Sequence, residues 1–278
     1  MKKLLLIGII IFCSCQLSYS QSPSQSTVVD STGLFLQQWA AALQEDTTLS
    51  GRLTADSIVT KKLIQILKQP FSYRFRFDSL RSIKHIESPD GKFKFFTWQV
   101  DLGDGTYRQR GAMQLPSDDG QLKLLPFFDQ SDFVSNSSLG ISDPSHWIGA
   151  VYYEIIPITW QNETWYTLLG YDEYTNGISR KIIEVMHFEH GHPILGGDFF
   201  IYPKDPTFPI APVDRFVLSY KKGSNAIIKY DTQNKVLVLS ELTSTENDLR
   251  NPSTLVPSGV DLYFKWINGK WQILEKNN

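Results

Sequence analysis

Two groups of side chains here are of types that can do chemistry. His187, Glu189, His190 and His192 crowd together in the chain. His187 and Glu189 share a strand face at i, i+2, and His190 and His192 sit at the turn that follows. Three imidazoles and a carboxylate could therefore converge on zinc or another divalent ion. The plainer alternative is a strand end meeting solvent around Gly191. It is preferred, because spacing alone does not fix ligand geometry and no His-Glu-x-x-His helix motif is present. No metal and no cofactor is assigned.

The second group is acidic. Asp172 and Glu173 end one β-rich run, and Asp198 follows Gly196-Gly197, where backbone can approach another group closely. Two of these carboxylates facing each other across a cleft would supply the acid and base of glycoside hydrolysis. Asp172 also precedes Tyr174-Thr175-Asn176-Gly177, where Asp commonly caps a turn, and the turn reading is preferred. Tyr171 and Tyr174 flank Asp172 and are the best candidates for exposed ligand-binding rings, since sugars stack their apolar faces on aromatics. Trp147, Trp160, Trp165, Trp266 and Trp271, with Tyr152 and Tyr153, could join such a platform; core packing is the simpler explanation for rings within strands, such as Trp98 and Trp165. A Gly-x-Ser-x-Gly elbow and a Gly-rich phosphate loop ahead of a helix are both lacking.

The elements that must position these groups are mostly strands. Thr164 to Tyr202 contains three β-rich runs divided by Asp/Asn/Gly and Gly/Pro punctuation, which predicts a three-stranded antiparallel meander. Period-2 alternation turns Ile183 and Val185 to the core, with Glu184 and Met186 on the other face. Upstream, Leu36, Trp39, Ala40 and Leu43 have helical spacing, as do Val59, Leu63, Ile66 and Leu67. The second helix is predicted to start at a Thr54 cap, with Asp56 in its first turn and Pro70 as its stop. Phe71, Tyr73, Phe75 and Phe77 alternate with polar residues and predict a half-buried strand. Asp129 to Ser145 lacks periodicity and reads as a surface excursion, and four prolines between Pro203 and Pro212 predict a stiff connection. Short strands up to Leu274 complete a mainly β fold. It is an antiparallel meander (a sandwich, a barrel or a curved open sheet) over 71–278, with a small N-terminal helical cap over 31–70.

The chain has 27 basic and 29 acidic residues, well mixed and without a basic stripe, so nucleic acid is not an expected partner. Lys2, Lys3 and the apolar Leu4 to Phe12 form an export signal over 1–20. Ser18 and Ser20 suit cleavage before Gln21, and a polar leader without order follows over 21–30. The alternative makes Cys15 a lipidated cysteine, but Phe12 and Cys13 fit that motif poorly. Both cysteines lie within the signal, so no disulfide and no thiolate site is expected beyond it. No later apolar run reaches transmembrane length.

Three segments carry a resemblance. Ser88-Pro-Asp-Gly-Lys-Phe through Trp98, Tyr166-Thr-Leu-Leu-Gly-Tyr-Asp172 with Arg180-Lys-Ile-Ile-Glu-Val185, and Trp266-Ile-Asn-Gly-Lys-Trp271 resemble a group of uncharacterised exported Bacteroidota-type proteins. The resemblance touches most of the chain after Phe71. It implies export and a β-rich fold and supplies no catalytic residue. The leading expectation is a non-catalytic periplasmic, envelope or extracellular protein of binding or assembly type. Its partner would be an envelope component or a carbohydrate. The alternative is a carboxylate-based, glycoside-type hydrolase of extracellular polymer.

Overall fold

The computed structural model describes residues 31–77, 80 and 82–274. The export signal, Cys15, the cleavage point before Gln21 and the 21–30 leader lie outside the described residues. Two helices lead, α1 (Ser31–Glu45) and α2 (Leu49–Leu67), and fourteen strands follow among the described residues. The predicted start of the second helix moves upstream. Thr48 is its N-cap, its Oγ1 accepting from the Gly51 N–H at 3.1 Å, and Asp46 in turn accepts from Thr48. Thr54 and Asp56 are therefore interior, and Asp56 is buried. It accepts from Trp98 Nε1 at 2.9 Å and from both Nε and Nη2 of Arg110. This ties α2 to the sheet beneath it.

That first sheet is β1 (Lys84–Glu87), β2 (Lys94–Asp101), β3 (Tyr107–Leu115) and β4 (Lys123–Phe128), antiparallel and in chain order. The second holds β5 (Val151–Trp160), β6 (Glu163–Thr175), β7 (Ile178–Glu189) and β10 (Phe216–Lys221), with β8 (His192–Leu195) on part of β7. The third runs β11 (Ile228–Asp231), β12 (Val236–Ser244), β13 (Leu255–Ile267), β14 (Lys270–Ile273) and β9 (Phe200–Ile201). The predicted meander is present as β6–β7–β8. Its third run divides, however: β9 leaves for the third sheet and pairs parallel with β14.

Three apolar clusters define the layers. Leu36, Leu63 and Ile66 of the helices meet Phe96 and Trp98, on one face of the first sheet. Phe93, Phe95 and Met113 from the opposite side meet Tyr152, Tyr166, Leu168 and Met186 of the second sheet. The other face of the second sheet turns Leu169, Ile183, Val185 and Phe216 against Leu237, Leu239, Phe264 and Trp271 of the third. The order is helices, sheet, sheet, sheet: open antiparallel sheets stacked under a helical layer. Because the second sheet is covered on both faces, Glu184 is fully buried beside Ile183 and Val185. The face of the strand that carries Glu184 and Met186 is therefore as closed to solvent as the one that carries Ile183 and Val185.

The predicted strand at Phe71–Phe77 also fails. Ser72–Arg74 form a 3-10 turn, entered through Phe71 at φ 59°. Two backbone donors a ladder would need are taken, Phe71 N–H by the Gly120 carbonyl and Phe75 N–H by that of Ser72, and the Tyr73 hydroxyl holds the turn to the Gly91 carbonyl. No helix among the described residues is long and apolar enough to cross a membrane.

Candidate functional site

Asp172 comes to lie where the first two sheets meet. Gln109 of β3 reaches across, its Nε2 donating to Asp172 Oδ1 at 2.8 Å while its own backbone N–H donates to Asp129 Oδ2 at 2.7 Å. The Tyr174 N–H adds a second bond to Asp172 Oδ1 at 2.9 Å, so the predicted turn-capping role is present in the geometry. Burial pushes the Asp172 carboxyl up to about 6, and the negative charge of Asp129 adds to it; those hydrogen bonds and the positive charge of Arg180 oppose the rise. Glu173, next along the strand, instead accepts from Ser179 Oγ at 3.0 Å and pairs with Lys222 at 3.3 Å.

Asp198 stands elsewhere. It is exposed and pairs with Lys270, next to Phe199, whose ring lies 5.2 Å from Trp165. Trp165 and Asp172 sit at opposite ends of β6, and a rise of about 3.3 Å per residue separates their backbones by about 23 Å. Asp172 and Asp198 thus do not face each other, and the acid–base pair of the hydrolase alternative is not assembled. What lies near Asp172 is Asp129, which the sequence did not single out.

The histidine cluster is also dispersed. His187 Nε2 is 2.8 Å from Glu189 Oε1, and its ring packs 4.4 Å from that of Trp165. His190 occupies the left-handed turn at φ 50°, and both it and His192 are exposed. Among the described residues no three His, Cys, Asp or Glu side chains are placed to hold a metal ion. Of the aromatic candidates, Trp147, Tyr152 and Trp271 are core. Tyr171 is part-buried with Lys181 over its ring, and Tyr174 is covered by the Arg180 guanidinium. Trp160, Trp165 and Trp266 are part-buried.

Arg180, opposite Asp172 in the β6–β7 register, is the residue the sequence reading missed. Its Nη1 donates to Ser137 Oγ at 2.9 Å, and its Nε is buried without a partner. Burial pulls its pKa below the usual arginine value, against the attraction of Tyr174 and Asp172. The side chain borders a cleft of about 250 Å³, walled also by Ser135–Ser138, Thr207, Ser219 and Arg250; among the described residues no Asp or Glu lines it. Arg250 and Phe208 also border an adjoining hollow of about 830 Å³ beneath the proline-rich segment after Tyr202.

A buried arginine fixes the cleft wall. Arg215 is fully buried and bonds Glu184 Oε1 through Nε at 2.6 Å. Its Nη1 donates to the carbonyls of Ser137 and Leu139, and its Nη2 to the carbonyl of Gly140 and to Ser142 Oγ. Both Asp214 and Arg215 N–H groups donate to the Ser138 carbonyl. The aperiodic loop is thus pinned along 137–142. The legible trace of this lock is a charged residue inside an apolar run: Glu184 among Ile182, Ile183, Val185 and Met186, and Arg215 at the head of Phe216-Val217-Leu218.

Comparison with protein-family models, curated proteins and solved structures gives no match to the chain.

Proposed function

We propose that this chain is an exported, non-catalytic binding protein of the envelope or periplasm that holds a ligand in the cleft beside Arg180. The observation that carries the binding role is the cleft's construction. Its wall is set in advance by the Arg215 lock, and it offers hydroxyls and guanidiniums rather than a carboxylate pair. Preorganised donors suit recognition, because little conformational entropy remains to be lost when a ligand arrives. Export rests on Lys2, Lys3, the apolar Leu4–Phe12 and Ser18/Ser20, together with the resemblance to exported Bacteroidota-type proteins.

The rival hydrolase would need Asp172 as its raised-pKa acid with a second carboxylate across a substrate. Asp172 is instead held by Gln109 and the Tyr174 N–H, at the far end of β6 from Asp198. One experiment separates the two: thermal unfolding with a panel of envelope oligosaccharides, with reducing ends assayed in parallel. A ligand that raises Tm and is recovered intact supports binding. Release of reducing ends that disappears in Asp172→Asn would establish the hydrolase instead.

A further inference from the structure

We infer that the cleft between Arg180 and Arg250 seats an acidic saccharide, its carboxylate or sulfate held by the two guanidiniums and its ring directed toward the proline shelf. This rests on the binding role proposed above and names the ligand class for the same site.

Charge is the first reason. Two guanidiniums and no carboxylate line the cleft, and the Arg250 guanidinium has no ion-pair partner among the described residues. Across the strand from Arg180, Asp172 turns its Oδ1 to Gln109 and the Tyr174 N–H and makes no short ion pair with the arginine, whose guanidinium lies on the Tyr174 ring. Nearby acids are tied to the backbone, Asp205 Oδ1 by the Thr207 N–H and Asp248 Oδ1 by the Arg250 N–H. A planar guanidinium recognises a carboxylate or sulfate through paired, charge-assisted hydrogen bonds, and partial burial strengthens them.

The second reason is the neutral lining. Ser135 and Ser219 present hydroxyls without partners among the described residues, the complement a sugar's own hydroxyls require. The third is the adjoining hollow. Pro203, Pro206, Pro209 and Ile210 form an apolar rim there, with Ile210 89% exposed, and Lys204 and Asp205 also line it. Such a rim suits the C–H face of a pyranose ring more than a free inorganic ion.

The test is calorimetric titration of the full exported chain. The probes are oligosaccharides bearing carboxylates or sulfates (oligogalacturonate, oligoalginate, chondroitin sulfate fragments), their neutral counterparts, and inorganic sulfate alone. At least one acidic oligosaccharide is expected to bind ten-fold or more tightly than its neutral counterpart and a hundred-fold more tightly than sulfate. Its affinity should fall as salt rises. Arg250→Ala, on an exposed loop, should weaken it at least ten-fold with Tm unchanged, and Arg180→Lys should weaken it while keeping the fold. Neutral sugars binding as well as acidic ones would overturn the charge argument and leave the binding role standing. Sulfate binding as tightly as the oligosaccharide would overturn the saccharide. Unchanged affinity in folded Arg250→Ala would overturn the cleft, and no binding by any saccharide would overturn this inference and the carbohydrate reading together.

Discussion

The central sheet carries two arginine–carboxylate neighbours that differ in almost every respect. Glu184 and Arg215 are both fully buried, and every nitrogen of the guanidinium is in use. The second Glu184 oxygen accepts from the Tyr152 hydroxyl, which accepts from Trp147 Nε1. Asp172 and Arg180 face each other across β6 and β7 but make no comparable pair: the acid bonds Gln109, and the arginine reaches Ser137 and leaves its Nε unmatched. Both arginines touch Ser137, Arg215 its carbonyl and Arg180 its hydroxyl. A closed network costs less to keep buried than a half-matched one. The sealed pair serves architecture, and the open pair keeps polar capacity at the edge of a cleft.

The largest effect should come from breaking the sealed pair. Glu184→Ala leaves Arg215 buried without its counter-charge and should cost about 3–5 kcal/mol in denaturant unfolding. A cost under about 1 kcal/mol would mean that water reaches Arg215. The next concerns the open pair and its pH dependence. Folding raises Asp172 from 3.8 to about 6, so the folded state holds this proton more tightly than the unfolded one. Its contribution to stability is therefore fully present below about pH 4 and is lost as pH rises through about 6, by roughly 3 kcal/mol in all. Asp172→Asn keeps the acceptor for Gln109 and should remove that fall, so the stability difference between variant and parent grows in the variant's favour from pH 4 to 7. A difference that stays flat with pH would place Asp172 in an ordinary solvated environment. The smallest effect belongs to Ser137→Ala, which removes only the hydroxyl shared with Arg180. With the carbonyl still held by Arg215, it should cost about 1 kcal/mol or less in the same unfolding assay.

Much of the layered β architecture was legible because strand periodicity and turn residues are local signals. Asn268-Gly269 marks the β13–β14 hairpin, and the runs at Tyr166 and Ile182 mark the middle of the central sheet. Burial on both faces was less so: Glu184 reads as the polar side of a strand until Arg215, far along the chain, is placed against it. The strand predicted at Phe71–Phe77 is replaced by a 3-10 turn, because bonds to the distant Gly120 and Gly91 outweigh alternation. The site was harder still. Asp172 stands out as a strand-end carboxylate, but its neighbours Gln109 and Asp129 come from segments that only sheet stacking brings to it, and Arg180 meets it through the register of the β6–β7 hairpin, which spacing alone does not fix. The histidines looked like ligands by spacing, but His187 packs on Trp165 and bonds Glu189.

The difference between the two pairs is tested most directly by replacing each arginine with leucine and unfolding both variants in denaturant beside the parent. Arg215→Leu strands the buried Glu184 and frees the loop carbonyls of Ser137, Leu139 and Gly140. It should lose more than about 3 kcal/mol. Arg180→Leu gives up one bond to Ser137 and the guanidinium's contact with the Tyr174 ring, and removes an unmatched buried Nε, so it should lose about 2 kcal/mol or less while the fold persists. Equal losses in the two variants would contradict the account, because both arginines would then be architectural and the cleft would have no spare charge to offer a ligand.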